Sequence, residues 1–327
     1  MADHLNADDS LGVDSYLTSA DGLLQLTLQG DGNLVLHVTQ AVWDTGTSGT
    51  SVSQAVMQGD GNFVMSGYDG YVWATATNGN PGASIHIQDD GNAVIYAPSG
   101  EAIWASNSFI QRARLPLNPA QHGFHFVNNF VNKILDIPWL GQITTYGRCG
   151  GMAYACLDYY NAGLPVPPYR SEDFPDGGVP PDGHPMADYI YVRLIDSFFV
   201  SSAVNFVSWS AHADHATWFF KGVHRWTRED EFPRVRQVLD EGRPAVLGLV
   251  RATNIGEIGS NHQVVAYGYE TSSSGYITLF IYDNNTRDQE VVLKAPPGRG
   301  PVEASNASPW RGFFLQDYAP KPPPPLP

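Results

Sequence analysis

Over the first hundred residues, apolar and polar side chains alternate in short runs such as Leu24-Gln25-Leu26-Thr27-Leu28 and Ser84-Ile85-His86-Ile87. Glycine- and asparagine-rich stretches separate these runs, so the pattern predicts short strands joined by turns, an all-β region. The pattern changes beyond about residue 120. Residues 149–162 read as a helix that stops at Gly163, and 228–241 as a second that stops at Gly242. Runs at 244–250, 263–269 and 276–282 read as consecutive strands. A helix early and strands late, without strand–helix alternation, predicts α+β.

The first region repeats itself. Gln-Gly-Asp-Gly-Asn-Leu-Val-Leu-His begins at Gln29, Gln-Gly-Asp-Gly-Asn-Phe-Val-Met-Ser at Gln58, and Gln-Asp-Asp-Gly-Asn-Ala-Val-Ile-Tyr at Gln88. A tryptophan follows each copy at nearly constant distance: Trp43, Trp73 and Trp104. Three matched β units with one aromatic each predict a three-fold arrangement around a shared tryptophan core. With a strand period of two, Gln29, Asp31, Asn33, Val35 and His37 are expected on one face. Carboxylate and amide groups beside a valine offer the mixture of donors, acceptors and apolar contact that a sugar ring takes up.

In this motif, Gln-x-Asp-x-Asn-x-Val-x-Tyr, residues 1–111 resemble the monocot-bulb-type mannose-binding lectins. The resemblance implies a β-prism with three sugar sites, mannose or mannose-containing glycans as ligand, and no metal. Carried over by position, the third site is complete: Gln88, Asp90, Asn92, Val94 and Tyr96. The first has Gln29, Asp31, Asn33 and Val35 with His37 in the last place. The second has Gln58, Asp60, Asn62 and Val64 with Ser66, which is too short to stand in for tyrosine. The expected order of sites is therefore third, first, second.

The second region holds both cysteines, Cys149 and Cys156. On one helix, seven residues at ~1.5 Å each set them about 10 Å apart, beyond the roughly 7 Å a disulfide spans. Cys149 lies where Gly147, Gly150 and Gly151 meet the predicted helix start, the place where a thiol is activated, and the glycines are expected to leave room for a substrate carbonyl. Cys156 reads as core. His262 stands in a polar turn at the mouth of a predicted strand and supplies a base. The next strand ends in Tyr282-Asp-Asn-Asn, so Asp283 or Asn284 is expected to orient that histidine, and Gln142 is a candidate oxyanion donor.

Residues 121–320 resemble the papain-like cysteine peptidases, with Cys-Gly…Tyr-Tyr-Asn-Ala-Gly and His-x-Val-Val-x-x-Gly-Tyr most similar to the C39-like branch. The resemblance implies Cys149 as nucleophile, His262 as base, Asp283 as orienter, Gln142 as oxyanion donor and a peptide or protein as substrate.

Net charge narrows the partners. The chain carries −15 over 327 residues, and residues 1–111 hold 12 aspartates and glutamates and no lysine or arginine. Such a surface repels phosphates, which argues against nucleic acid and anionic lipid. No apolar run is long enough to span a membrane, and the first residues lack a secretory pattern, so a soluble protein is expected, cytoplasmic or released by a non-standard route. The first arginines and two prolines fall in 112–120, read as a linker, and 321–327 read as an exposed polyproline tail. His212, Asp214 and His215 are too few to predict a metal site, and no cofactor is expected. Trp209, Trp218 and Trp226 read as packing. The whole reads as a mannose-binding lectin fused to a cysteine peptidase, possible as a homodimer. The rival reading is a carbohydrate-binding protein whose second domain is structural, or an acyltransferase or amidase on the same triad.

Overall fold

In the computed structural model, residues 2–325 are described except Thr39, Arg299 and 132–134, 138–140, 144–146, 175–177, 199–200 and 217–220; side chains are not described for 135–137, 141–143, 201–203 and Ile255. The chain divides into two units, 1–111 with 271–276, and 112–270 with 277–327.

The first unit is three antiparallel four-stranded sheets. Each is built around one repeat, for instance Gln25–Leu28, Leu34–His37 and Ala41–Asp44. Every repeat holds only three strands. The segment before the first repeat supplies the fourth to each in turn: Tyr16–Thr18 pairs with the first repeat, Ser10–Gly12 with the second and His4–Leu5 with the third. Leu26, Leu28, Leu36, Met57, Met65, Ile85 and Ile95, on alternate strand positions, fill one shared core. Trp43, Trp73 and Trp104 form a triangle with ring centroids 5.7–6.1 Å apart, each pair edge-on at 68–79°. That is the geometry ring quadrupoles favour over face-to-face stacking.

In the second unit a mainly antiparallel sheet runs in the order Ala307–Trp310, Val302–Ala304, Glu290–Ala295, Ile277–Tyr282, His262–Ser272, Ala245–Val250, Gly312–Leu315. Part of the stretch read as a linker is a strand: Ile110–Arg114 pairs with His262–Ser272, and Leu115 N–H continues the contact to Tyr267 O at 2.8 Å. The helix Cys149–Asn161 is buried on nearly every side and packs on Pro185–Phe198. It ends where predicted. Gly163, at φ +66°, lets its N–H reach Tyr160 O while Leu164 N–H reaches Tyr159 O, a Schellman cap. The helix expected from residue 228 starts earlier: α-helical turns over Val223–Trp226 run into a π turn over Thr227–Glu231 and resume over Phe232–Asp240. Pro233 has no N–H and its ring crowds the preceding turn, which widens it.

The tail is anchored rather than free. Asp158, buried in the core, accepts from Tyr318 Oη (2.7 Å), Lys321 N–H (2.8 Å) and Tyr189 Oη (2.8 Å), and pairs with buried Arg193 at 2.7 Å. Tyr159 Oη donates to Pro324 O at 3.1 Å. Proline cannot donate but its carbonyl accepts, so a polyproline strand docks through such contacts. Among the described residues, no helix is long and apolar enough to cross a membrane.

Candidate functional site

The three repeated motifs are built alike, and not as an unbroken strand face. Strands end at Leu28 and resume at Leu34, so Gln29, Asp31 and Asn33 occupy the turn between them, and only Val35 and His37 lie on a strand. The alternation within the motif imitates a strand. A backbone ring closes the turn instead: Gln29 N–H donates to Asn33 O at 2.9 Å and Gly32 N–H to Gln29 O at 3.0 Å, with counterparts at Gln58 and Gln88. Gly32 sits at φ +87°, and a Cβ there would lie 2.1 Å from Thr50 O, so no other residue fits. Asp31, Asp60 and Asp90 each accept, through Oδ1, the N–H of the asparagine two residues on, at 3.0 Å.

A hydroxyl pair then orients each asparagine. Thr45 Oγ1 donates to Asn33 Oδ1 (3.0 Å), Thr75 Oγ1 to Asn62 Oδ1 (3.2 Å) and Ser106 Oγ to Asn92 Oδ1 (2.9 Å). The second hydroxyls, on Thr47, Thr77 and Ser108, contact the first and donate to the carbonyls of Gly32, Gly61 and Gly91 at 2.6–2.7 Å. With Oδ1 committed, each asparagine is left to present its Nδ2 donors outward. The signal for these residues was in the sequence, a Ser/Thr two and four residues after each repeat tryptophan.

The copies differ at their edges. In the third, Gln88 Nε2 donates to Tyr96 Oη at 2.7 Å, joining the two ends of the motif. In the first, His37 Nε2 meets Thr27 Oγ1 at 3.0 Å, and Ser48 Oγ donates to the second Asp31 oxygen at 2.7 Å. The backbone bond from Asn33 and the Ser48 bond hold the Asp31 carboxyl below its ordinary pKa. Val35, Val64 and Val94 are buried at the strand starts. The second copy, expected to be the poorest, opens a cleft of about 440 Å³ that Gln58, Asn62, Val64 and Ser66 line.

In the second unit, Cys149 is the first residue of its helix and is partly exposed. His262 begins one strand of an antiparallel hairpin, and Asp283 follows the last residue of the other, so the hairpin sets the two side by side. His262 Nε2 meets Asp283 Oδ1 at 2.7 Å, and the Cys149 side chain is near enough to His262 to favour its charged form. Since Nε2 faces the carboxylate, Nδ1 is the nitrogen available to the sulfur. His262 and Asp283 are 5% and 3% exposed. Burial opposes a charged imidazole, but the Asp283 carboxylate, its hydrogen bond and Cys149 outweigh it and raise His262 to about 10. Burial likewise works against the Asp283 carboxylate, yet His262, Asn306 Nδ2 at 2.8 Å and Asn285 N–H at 2.9 Å hold it below its ordinary value. The Trp310 ring stacks on His262 at 5.9 Å and 13°, and Arg251 covers its ring at 3.9 Å.

Of the two candidates for orienting His262, the geometry selects Asp283. Asn284 turns away and donates to Cys149 O (3.1 Å) and Gln263 O (2.9 Å), tying the helix start to the histidine strand. Gln142 lies on the short strand Gly141–Ile143, and its side chain is outside the described residues. The glycines beside Cys149 have another cause than substrate room. A Cβ on Gly150 would lie 2.1 Å from Gln263 Oε1, one on Gly151 2.0 Å from Ile190 O, and one on Gly147 2.5 Å from Asn128 Nδ2. They let the helix press against its neighbours. Asn285, Asn306 and Trp310 were missed. Asn306 sits in a tight turn and Trp310 on an edge strand, and neither position carries a sequence signature.

Cys156 is fully buried, donates to His122 O at 3.3 Å, and burial pushes its thiol far up. Asp214 pairs with Arg311 at 2.5 Å and His212 Nδ1 meets Ser208 O at 2.5 Å. Among the described residues no group of three or more His, Cys, Asp or Glu is placed to hold a metal. Trp209 and Trp226 pack on each other at 5.6 Å, and Trp218 is outside the described residues.

No protein-family model and no curated protein matches the chain. Solved structures do. A monomeric monocot mannose-binding lectin from Gastrodia elata is 40% identical over 32% of this chain and 97% of its own (TM-score 0.30). The mannose-specific agglutinin of snowdrop (Galanthus nivalis) bulbs, solved with methyl-α-D-mannoside, is 34% identical over 32% of this chain and 95% of its own (TM-score 0.28). A Marasmius oreades lectin is 32% identical over 33% of this chain and 92% of its own (TM-score 0.31). These matches cover about a third of the chain, and the three repeats with their tryptophan triangle account for the same share. By that identity over nearly the full length of those lectins, the N-terminal region of this chain belongs to the bulb-type lectins and has their β-prism fold.

Proposed function

We propose that the protein is a mannose-binding lectin joined to a papain-like cysteine peptidase, the first unit holding mannose-bearing glycans and the second hydrolysing peptide bonds. The observation that carries the peptidase reading is the line Cys149, His262, Asp283, with the imidazole raised to about 10 and the carboxylate lowered. A base that stays charged beside a thiol favours the ion pair in which sulfur is the nucleophile. Cys149 Sγ attacks the substrate carbonyl, and the oxyanion forms at the helix start, where N–H groups have no intrahelical acceptor. His262 then protonates the leaving amine, and a water attacks the thioester with His262 as base, releasing the acid and restoring the thiol. Asp283 holds Nε2–H throughout, so the ring cannot turn from the sulfur.

Support for mannose comes from the lectins to which this region is similar, the Gastrodia elata protein being mannose-binding and the snowdrop agglutinin mannose-specific and solved with a mannoside. The third site joins carboxylate, amide and phenol on a sugar-sized surface, and one chain carrying both units raises the local concentration of glycosylated substrate.

The test is cleavage of a mannosylated glycoprotein and its deglycosylated form by the protein and its Cys149→Ala variant. The reading expects faster cleavage of the glycosylated form, a rate brought down to the deglycosylated one by free methyl-α-D-mannoside, and none by Cys149→Ala. No cleavage of either form, or cleavage that survives Cys149→Ala, contradicts it.

A further inference from the structure

The second repeat has not lost its aromatic group; the group stands on the neighbouring strand. In the third repeat Tyr96 pairs across the sheet with Ala102, and in the first His37 pairs with Ala41, a large ring opposite a small residue. In the second the sizes are exchanged: Ser66 pairs with Tyr71. All three pairings follow a register shift at the same point of the repeat, so the positions are equivalent. Moving the ring across one strand opens the motif, and Tyr71, 70% exposed, lines the resulting cleft of about 440 Å³ with Gln58, Asn62 and Ser66. Val56 and Val64 give the cleft an apolar floor, where the third repeat has the polar His86 opposite Val94.

We infer that the second repeat is a remodelled saccharide site for an extended glycan, one hexose on the Gln58–Asn62 turn and the next stacked on the face of Tyr71. This rests on the lectin reading and adds a different ligand size for one of its sites. The argument is chemical. Hexose rings carry C–H faces that pack on aromatic rings, while their hydroxyls need donors and acceptors together. Here Asn62 Oδ1 is committed to Thr75 and to Thr77 N–H, leaving its Nδ2 as donor. Among the described residues Asp60 uses only Oδ1, on Asn62 N–H, leaving an oxygen to accept. The cleft falls in the ~300–1,000 Å³ range that encloses ligands larger than one hexose.

The test uses the full chain with Gln29→Ala and Gln88→Ala, which silence the first and third repeats, titrated calorimetrically with methyl-α-D-mannoside and with a linear mannotriose. The expected result is retained triose binding at one site, stronger than monosaccharide binding, and weakened about tenfold by adding Tyr71→Ala, as loss of one stacked ring implies. The exchanged variant, Ser66→Tyr with Tyr71→Ala, is expected to lose the preference for the triose. Retained binding indifferent to Tyr71→Ala overturns the inference and leaves the lectin reading standing. So does loss of all binding in the Gln29→Ala, Gln88→Ala protein when the unsubstituted protein binds. An unsubstituted, folded protein that binds neither sugar overturns both.

Discussion

Replacing Asp283 by asparagine tests the electrostatics of the cysteine site with little change of shape. The carboxylate is what keeps the imidazole charged: burial alone pushes His262 below 6.5, and Asp283 is the largest influence in the other direction. From 6.5 to about 10, at ~1.36 kcal/mol per pKa unit, the folded site favours the imidazolium by on the order of 5 kcal/mol. Asparagine still accepts from Nε2–H but carries no charge, so that stabilisation goes and burial prevails. With ¹³C-labelled histidine, the Cε1 shift of His262, identified by its absence in His262→Gln, reports the charge directly. In the unsubstituted protein it is expected to stay in the imidazolium position up to about pH 9; in Asp283→Asn it is expected in the neutral position at pH 7. Loss of a charged base of this kind costs about 10²–10⁴ in kcat/KM. A His262 signal that titrates identically in both proteins would refute the reasoning.

Three further outcomes follow from the same structure. His262, raised in the folded state, contributes stability that is whole below pH 6.5 and lost as the pH rises toward about 10, while Asp283, lowered, contributes above pH 3.8 and loses that contribution as the pH falls below it; urea melts at pH 6 and pH 9.5 should show a loss of a few kcal/mol that Asp283→Asn does not show. Trp43→Ala removes one corner of the aromatic triangle and should lower stability by about 3 kcal/mol, the low end for a core tryptophan because its ring is only partly buried, read by denaturant unfolding of the first unit. Gly151→Ala should lower Tm: its methyl would meet Ile190 O at 2.0 Å, and overpacking of about 1–3 kcal/mol exceeds the ~1 kcal/mol that alanine gains in a helix. A raised Tm would contradict the close helix–helix approach.

Much of this was legible in the sequence, for physical reasons. The repeats are readable because each glycine and asparagine meets the same demand three times, and the tryptophans because they share one core. Cys149 and its helix were marked by composition and by the stop at Gly163, and His262 and Asp283 by their places at the two ends of a hairpin. The strands before residue 19 were not legible, being two or three residues long, too short for any period. The motif was placed on a strand because a turn held by Asx contacts mimics alternation. Tyr71 was missed because its partner is across the sheet and the register shifts beside it, so sequence offset does not find it. Gly150 and Gly151 were assigned to substrate when their space is taken by Gln263 and Ile190, contacts that only the packed helix reveals.

The central claim, an activated Cys149, is tested most directly by exposing the folded protein at neutral pH to an epoxide inhibitor of cysteine peptidases and mapping the adduct by mass. The account predicts a single adduct on Cys149, abolished by His262→Ala, with buried Cys156 unmodified. No adduct on the folded protein, or one that forms equally well in His262→Ala, would contradict it.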